Sequence, residues 1–302
     1  MRKVLLFFLF ITILSTRQSV AEQDAFIVLS QDIIPYHKAS EGVKDKLPGF
    51  HFQEYTLENE NSSGEKLLKV LTETPPKVMI AVGPEAAYLL KRSTPPCPRV
   101  FTMILNPETI FGNTLTFSGV SMNYPPAILL SQLKRVFPDR RKVGIFYSPE
   151  LNSSLVEKFE KESETLGLKI RPFSITSSSE IRSILKSPTF DPEVILFIPD
   201  RVVIKEKVVT YIIEECLFRK TPAVGFNTWF AKNGAAMAFY LDYEEIGWQT
   251  AELALKLLEN KNLQPWIEAP KNLKIILNLK VARKFKITIS EKIRTEADEI
   301  IE

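Results

Sequence analysis

The sequence is poor in the residues from which metal sites and many catalytic sites are built. Its 302 residues include only two histidines, His37 and His51, and two cysteines, Cys97 and Cys216. Structural zinc sites draw chiefly on these two residue types, so no metal site is predicted. The sequence also lacks a Gly-x-Ser-x-Gly nucleophile elbow and a glycine-rich phosphate loop. We therefore predict that the chain is not an enzyme and carries no cofactor.

An excess of one charge is also missing. The 39 lysines and arginines stand against 36 aspartates and glutamates. Three of the basic residues, Arg2, Lys3 and Arg17, lie in an N-terminal leader, and without them the two signs balance. Binding to nucleic acid requires a basic face. The balance therefore predicts that nucleic acid is not a partner.

The leader, residues 1–21, has the pattern of a secretory signal peptide. Basic residues precede an apolar run of 11 residues, VLLFFLFITIL, and Ser19 and Ala21 hold the small positions before a cleavage site. The run is short for a membrane span, which needs about 20 residues. We expect cleavage after Ala21, a mature chain that begins near Glu22, and a periplasmic or secreted location. A retained N-terminal anchor is the alternative.

From residue 25 onward, short apolar runs of strand type alternate with amphipathic helical patterns. The runs AFIVLS, KVMIAVG and RVFTMIL are examples of the first, and YHKASEGVKDKL and GEKLLKVLTET of the second. This alternation predicts parallel sheets with helices on both faces. It occurs twice, before and after about residue 120, and a chain of this length exceeds the usual size of a single core. We therefore predict an α/β fold of two doubly wound parallel-sheet lobes.

The two cysteines fall in different halves of this pattern. A disulfide between them would form only in an oxidising compartment and would have to join equivalent places in two lobes. We expect two buried free thiols, with the disulfide as the alternative.

Polar side chains follow many of the predicted strands. In doubly wound sheets, ligands bind beyond the carboxyl ends of the strands. The stretch VGIFYSPELNSS shows the pattern, because its strand is followed by more hydrogen-bonding side chains than one helix cap requires. We interpret the segment after Tyr147 as a ligand-binding loop. The candidates at the strand ends suit a small amphiphilic ligand between the lobes, and they are Ser30, Gln31, Gly83, Pro84, Asn106, Asn152, Ser153, Asp200, Phe226 and Asn227.

Three long segments carry a recognisable order of motifs. Residues 117–170 contain FSGVSM, a helical stretch that runs into FPDRRKVGIFYSP, and then NSS. Residues 221–260 contain TPAVGF and GAAMAFYLDYEEIGWQTAELALKLLEN, and residues 271–302 contain LKIILNLKVARKFKITISEKIRTEADEIIE. Together the segments resemble a family of ABC transporter substrate-binding proteins with the type I periplasmic-binding fold.

The resemblance implies a ligand in the cleft between two lobes and delivery of that ligand to an ABC permease in the membrane. Characterised relatives are associated with aromatic and other amino acids. The family often carries Thr-Pro where this chain has Gly83 and Pro84, so a hydroxyl for a ligand carboxylate is missing here. The implied lobes are joined by three crossovers near residues 119–121, 241–243 and 266–268. Lobe 1 comprises residues 22–119 plus about 243–265, and lobe 2 residues 120–242 plus about 266–302.

Each candidate residue also has a structural interpretation. Asp200 is expected to accept the ammonium group of an amino-acid ligand, in which case Asp200→Asn should weaken binding with little loss of stability. Its alternative is a helix cap, as it is for Asn152 and Ser153. Asn227 and Asp242 either contact the ligand or order a loop. Aromatic side chains that either stack on the ligand or belong to the core are Phe226, Trp229, Tyr240, Tyr36 and Tyr124.

The function predicted from these patterns is that of a monomeric extracytoplasmic solute-binding protein. It would capture an amino acid or similar ligand for an ABC importer. The alternative is an extracytoplasmic ligand-sensing protein that signals to a membrane receptor.

Overall fold

The structure, a computed structural model, describes residues 24–57, 61–93, 96–112, 114–260 and 262–302, with residues 61–63 described by their backbone. The predicted leader and its cleavage site lie outside these residues. Within them, no helix is both long and apolar enough to cross a bilayer. The same residues contain no cluster of three or more histidine, cysteine, aspartate or glutamate side chains that could hold a metal ion.

Strands and helices alternate along nearly the whole described chain. The strands are β1 (Ala25–Leu29), β2 (Phe52–Thr56), β3 (Val78–Val82), β4 (Arg99–Ile104), β5 (Ser118–Ser121), β6 (Lys142–Tyr147), β7 (Lys169–Ser174), β8 (Val194–Leu196), β9 (Ala223–Gly225), β10 (Met237–Tyr240), β11 (Ile267–Glu268), β12 (Lys274–Asn278) and β13 (Glu299–Ile301). The helices are α1 (Ile34–Lys46), α2 (Asn61–Glu73), α3 (Pro84–Lys91), α4 (Glu108–Phe111), α5 (Pro126–Val136), α6 (Pro149–Thr165), α7 (Glu180–Lys186), α8 (Glu206–Arg219), α9 (Thr228–Lys232), α10 (Tyr243–Glu259), α11 (Leu279–Lys284) and α12 (Glu291–Glu296).

Two separate sheets result from this alternation. The first has the order β11-β5-β4-β3-β1-β2, and all its pairs are parallel. The second has the order β13-β12-β10-β9-β8-β6-β7, and its pairs are parallel except for β10 with β12. The predicted α/β fold of two doubly wound sheets is thereby confirmed, with one antiparallel pair that the pattern did not predict.

Both faces of each sheet are buried, which explains the continuous apolar runs of the strands. In β1, Ile27 and Leu29 face a core shared with α1 and α10, while Phe26 and Val28 face a core shared with α2 and α3. The second sheet separates two further cores in the same way. Each sheet is thus packed between two apolar clusters.

Four helices begin with a proline in the first turn, where the missing N–H removes no hydrogen bond. They are α1, α3, α5 and α6. In α6, Ser148 takes the N-cap position and Pro149 opens the helix. Asn152 and Ser153 therefore lie inside α6, so the prediction of a loop over these residues is wrong, and their contact with a ligand stays a prediction. The physical reason is the proline, whose fixed φ is already that of a helix.

The chain passes between the two sheets three times. It leaves the first sheet after β5, returns between β10 and α10, and leaves again between β11 and β12. Helix α10 follows the second sheet in sequence but contacts α1, β4 and β5 of the first. The division into lobes stays a prediction. Residues from about 266 onward are expected in lobe 2, but β11 at Ile267–Glu268 pairs with β5 in the first sheet.

The two cysteines are not joined by a disulfide. Cys216 is buried in the second lobe, where burial raises the pKa of its thiol to about 12. Cys97 precedes β4 and is half-buried, so the expectation of a buried thiol is wrong for this residue. Its position at a loop rather than inside the strand accounts for the difference.

Candidate functional site

An apolar cavity of about 220 Å³ lies where the carboxyl ends of the strands of both sheets approach each other. Its inner wall comes from the second sheet and its helices, and its rim from the segments that follow β4, β5 and β10. None of its lining side chains is charged. The lining residues are Leu105, Met122, Asn123, Tyr124, Leu129, Leu155, Phe159, Leu196, Phe197, Ile198, Pro199, Ile204, Phe226, Asn227, Phe239, Tyr240, Leu241 and Tyr243.

The size of this cleft cavity suits a single ring system. An apolar protein cavity of about 150 Å³ is enough to bind benzene. The lining includes aromatic rings that can stack on a flat ligand, among them Tyr124, Phe226 and Tyr240. The cavity therefore fits an uncharged aromatic or large aliphatic group.

Three tyrosines at the rim stay uncharged near neutral pH. Burial, together with nearby carboxylates, raises the pKa of Tyr124 far above its usual value. Burial raises the pKa of Tyr240 to about 12, and the charges of Glu299 and Asp298 add to the effect. Burial also raises the pKa of Tyr243. Each phenol is thus a neutral hydrogen-bonding group beside the cavity.

Two asparagines supply the amide groups of the cavity. Asn227 caps α9, since its Oδ1 accepts from Trp229 N at 3.1 Å. Its Nδ2 has no hydrogen-bond partner in the described part of the chain. Asn123 donates through Nδ2 to Asn106 Oδ1 at 2.9 Å and to the carbonyl oxygen of Leu105. Asn106 therefore orients Asn123, which lines the cavity on the side of the first lobe.

A polar link joins the sheets beside the cavity. Glu245, on α10 of the first lobe, contacts Lys274 Nζ of β12 through Oε1 at 2.9 Å, and its Oε2 accepts from Asn272 Nδ2 at 2.9 Å. The hydrogen bond to Glu245 raises the pKa of Lys274, and Asp298 adds to the effect. Tyr124 donates to the carbonyl oxygen of Asn272. These contacts thus join residues in or beside all three passages between the lobes.

Asp200 is the most buried carboxylate of the predicted set, at 1% exposure. Its Oδ2 accepts from Ser148 N at 2.6 Å and from Asn152 Nδ2 at 2.8 Å. Its Oδ1 accepts from Val202 N at 2.9 Å and from Val203 N at 3.3 Å. Asp200 thereby fastens the start of α6 to the segment after β8. It does not line the cavity, and its role toward a ligand stays a prediction.

Asn152 and Ser153 also make contacts within the protein. Besides Asp200, Asn152 Nδ2 contacts the carbonyl oxygen of Pro199 at 3.3 Å. Ser153 Oγ donates to the carbonyl oxygen of Pro149 at 2.7 Å, one turn earlier in the same helix. Neither side chain lines the cavity. Asn152 thus joins the start of α6 to the segment after β8, and Ser153 bonds back within α6.

The first-lobe candidates cluster at the ends of β1 and β3. Ser30 Oγ accepts from Ala86 N at 2.9 Å, and Gln31 is exposed. Gly83, with φ of 95°, leads into α3, which opens with Pro84. A Cβ at residue 83 would lie 2.6 Å from Ser30 Oγ and 2.8 Å from Tyr36 Cζ. This packing leaves no room for the threonine that the family resemblance predicts at this position.

Of the predicted candidates, Phe226 and Asn227 line the cavity, together with the aromatic candidates Tyr124 and Tyr240. Asp242 caps α10, because its Oδ1 accepts from Glu244 N at 3.0 Å and Glu245 N at 3.3 Å. Lining residues that were not among the predicted candidates include Met122, Asn123, Ile204 and Tyr243. Applying the strand-end rule to β5 would have found Met122 and Asn123. Ile204 and Tyr243 do not directly follow a strand, so the strand-end rule does not select them.

Comparison with known proteins identifies one family. Residues 36–301 match the model of the ABC transporter substrate binding proteins. A similar curated protein is a tyrosine-binding protein of Clostridioides difficile (strain R20291), which is 23% identical over 198 residues. That match covers 62% of this chain and 56% of the relative, so the chain spans little more than half of the relative's length.

Solved structures agree in fold. An ABC domain from Streptococcus pneumonia in complex with L-Trp has a TM-score of 0.63 and 20% identity, and the match covers 93% of this chain and 100% of the other. A substrate binding protein with adhesive properties from Clostridium difficile, in a ligand-free, open structure, has a TM-score of 0.77 and 17% identity, with coverage of 93% and 99%. At these identities the likeness establishes the fold.

Proposed function

This chain belongs to the family of ABC transporter substrate-binding proteins, and we propose that it captures a free amino acid with an aromatic side chain in the cleft between its lobes. Its family is one of binding proteins, not of enzymes. The observation that carries the proposal is the uncharged, aromatic-rimmed cavity at the meeting of the two sheets. A tyrosine-binding protein and an L-Trp complex among its relatives support the same ligand class.

The ring of the ligand would supply most of the binding energy. Burying the 150–250 Å² of an aromatic side chain contributes about 4–6 kcal/mol before the costs of association. The cavity has no charged group that would have to lose water. Side chains of lysine, glutamate or arginine would lose hydration there without gaining a partner. The site therefore favours tyrosine, tryptophan or phenylalanine over charged amino acids.

We further propose that the protein delivers this ligand to an ABC permease and works outside the cytoplasmic membrane after the leader is removed. The family description and the signal-peptide pattern of residues 1–21 support this part of the proposal. N-terminal sequencing of the exported protein would test the leader. A chain that begins near Glu22 is expected.

A thermal-shift screen tests the ligand class. A ligand that binds only the folded protein stabilises it by about 2.7 kcal/mol at 100 times its Kd. For a protein of this size that corresponds to a rise in Tm of roughly 5 °C. We expect L-tyrosine or L-tryptophan to give such a rise, and L-glutamate and L-lysine to give none. A rise with charged amino acids or sugars alone would contradict the proposal.

We also propose that the lobes close on the ligand by a hinge at the three passages, which follow β5, lie between β10 and α10, and lie between β11 and β12. A ligand that contacts both lobes binds the closed arrangement better and so shifts the population toward it. Small-angle scattering should show a smaller radius of gyration when the stabilising amino acid is added. An unchanged radius at saturating ligand would count against hinge closure, although not against binding.

A further inference from the structure

A second cavity adjoins the cleft cavity on the second lobe. Its volume is about 260 Å³, and it shares Ile204, Phe226 and Asn227 with the first. The remaining wall includes Glu206 and Trp229. Because three residues line both cavities, a ligand held in the cleft cavity can extend a second group into the adjoining one.

Glu206 supplies the charge of this adjoining cavity. It is the single charged side chain among the residues that line either space. It is the first residue of α8, and its carboxylate has no ion pair or hydrogen bond within the described ranges of the chain. Glu206 is exposed, as are Lys205 and Lys207, which flank it in sequence, and neither lysine lines the cavity. The carboxylate is thus available to a positively charged group.

The aromatic walls of the adjoining cavity favour the same kind of group. Trp229 and Phe226 are half-buried and both contact Phe230, with ring centroids 5.5 Å and 4.7 Å from it. Packing against Phe230 holds the two rings in place. The face of an indole or phenyl ring attracts a cation, and a carboxylate nearby adds a charge-assisted hydrogen bond. These aromatic faces and the carboxylate repel an anion, and they bind a neutral polar group only weakly.

We propose that the adjoining cavity binds the ammonium group of the ligand whose ring occupies the cleft cavity, with Glu206 as the acceptor and Trp229 as the cation-binding ring. This inference rests on the proposed function for the identity of the ring. It differs from the expectation for Asp200, whose oxygens already accept four hydrogen bonds within the protein. The chemical class selected is an aromatic compound that carries a primary amine.

The test compares three ligands in calorimetric titrations of the full mature chain. L-tryptophan carries both charged groups, tryptamine lacks the carboxylate, and indole-3-propionate lacks the amine. We expect Glu206→Gln to weaken binding of L-tryptophan and tryptamine about tenfold, the effect of losing one hydrogen bond to a charged group. Binding of indole-3-propionate should not weaken. Trp229→Leu should likewise act on the two amines more than on the propionate.

A matched control is Glu214→Gln, an exposed position on the same helix that lines neither cavity. It should leave all three affinities unchanged. Equal losses for amine and propionate ligands, or no loss for either, would overturn the inference. If L-tryptophan fails to bind but tryptamine binds in a manner that depends on Glu206, the inference stands and the proposed function falls. If no amine binds to the wild-type chain, the inference falls.

Discussion

Replacing Asp200 with asparagine is expected to lower the free energy of unfolding by about 2–4 kcal/mol, because buried donors lose a charged acceptor. The carboxylate receives three backbone N–H groups and the amide of Asn152, and it is 1% exposed. An asparagine has one acceptor oxygen, and its NH₂ group would face the two donors that now bind the second carboxylate oxygen. The start of α6 and the segment after β8 would then lose their common anchor.

Chemical denaturation of ligand-free protein measures this effect. Asp139→Asn is the matched control, since Asp139 is exposed in a turn of the same lobe, and we expect it to change stability by less than about 0.5 kcal/mol. Ligand affinity of the folded Asp200→Asn protein should change little. A large loss of affinity with unchanged stability would instead support the role first expected for Asp200, that of an acceptor for the ligand's ammonium.

Replacing Gly247 with alanine should destabilise the first lobe by about 3 kcal/mol, the upper range for overpacking a tight contact. Helices α1 and α10 cross with their backbones in contact. A methyl group at Gly247 would lie 2.1 Å from the carbonyl oxygen of Ala39, and one at Gly42 would lie 2.1 Å from that of Glu244. These are backbone atoms, so relief requires the helices to move apart. Because α10 also carries Glu245, such movement would disturb the link to Lys274.

The control is Gly64→Ala in α2, where the nearest atoms are methyl groups of Leu89 at 3.2 Å and 3.6 Å. A flexible side chain can give way there, and alanine favours a helix by up to about 1 kcal/mol over glycine. We expect unchanged or slightly higher stability. Equal stability of the Gly247 and Gly64 variants in denaturant titrations would contradict the close crossing of α1 and α10.

The fold could be predicted from the sequence because apolar runs such as VMIAV in β3 are buried on both sides, and that pattern is local. The start of α6 was predictable as well, since Ser148 and Pro149 together are a helix start signal. The many polar residues that follow them favour a loop, which is why the sequence alone predicts one there. The antiparallel pair of β10 and β12 has no such local signature.

The site was less predictable, for a physical reason. Asp200 follows a strand, as predicted. Its Oδ2, however, accepts hydrogen bonds from Ser148 N and Asn152 Nδ2, about fifty residues earlier in the chain. Only the tertiary structure reveals that contact. Glu206 and Tyr243 lie beyond the residues that directly follow a strand. The cavity walls Leu155 and Phe159 have the spacing of ordinary core residues on a helix, and nothing in the sequence separates them from the core.

Calorimetric titration of L-tyrosine and L-tryptophan into wild-type, Leu155→Trp and Leu151→Trp proteins tests the central claim most directly. Leu155 lines the cleft cavity, and an indole at that position would fill the space proposed for the ligand's ring. Leu151, one turn earlier on α6, is partly exposed and does not line it. We predict binding to the wild type and to Leu151→Trp, and at least a tenfold loss for Leu155→Trp at unchanged folding. Equal affinity of all three proteins, or binding of neither amino acid to the wild type, would contradict the account.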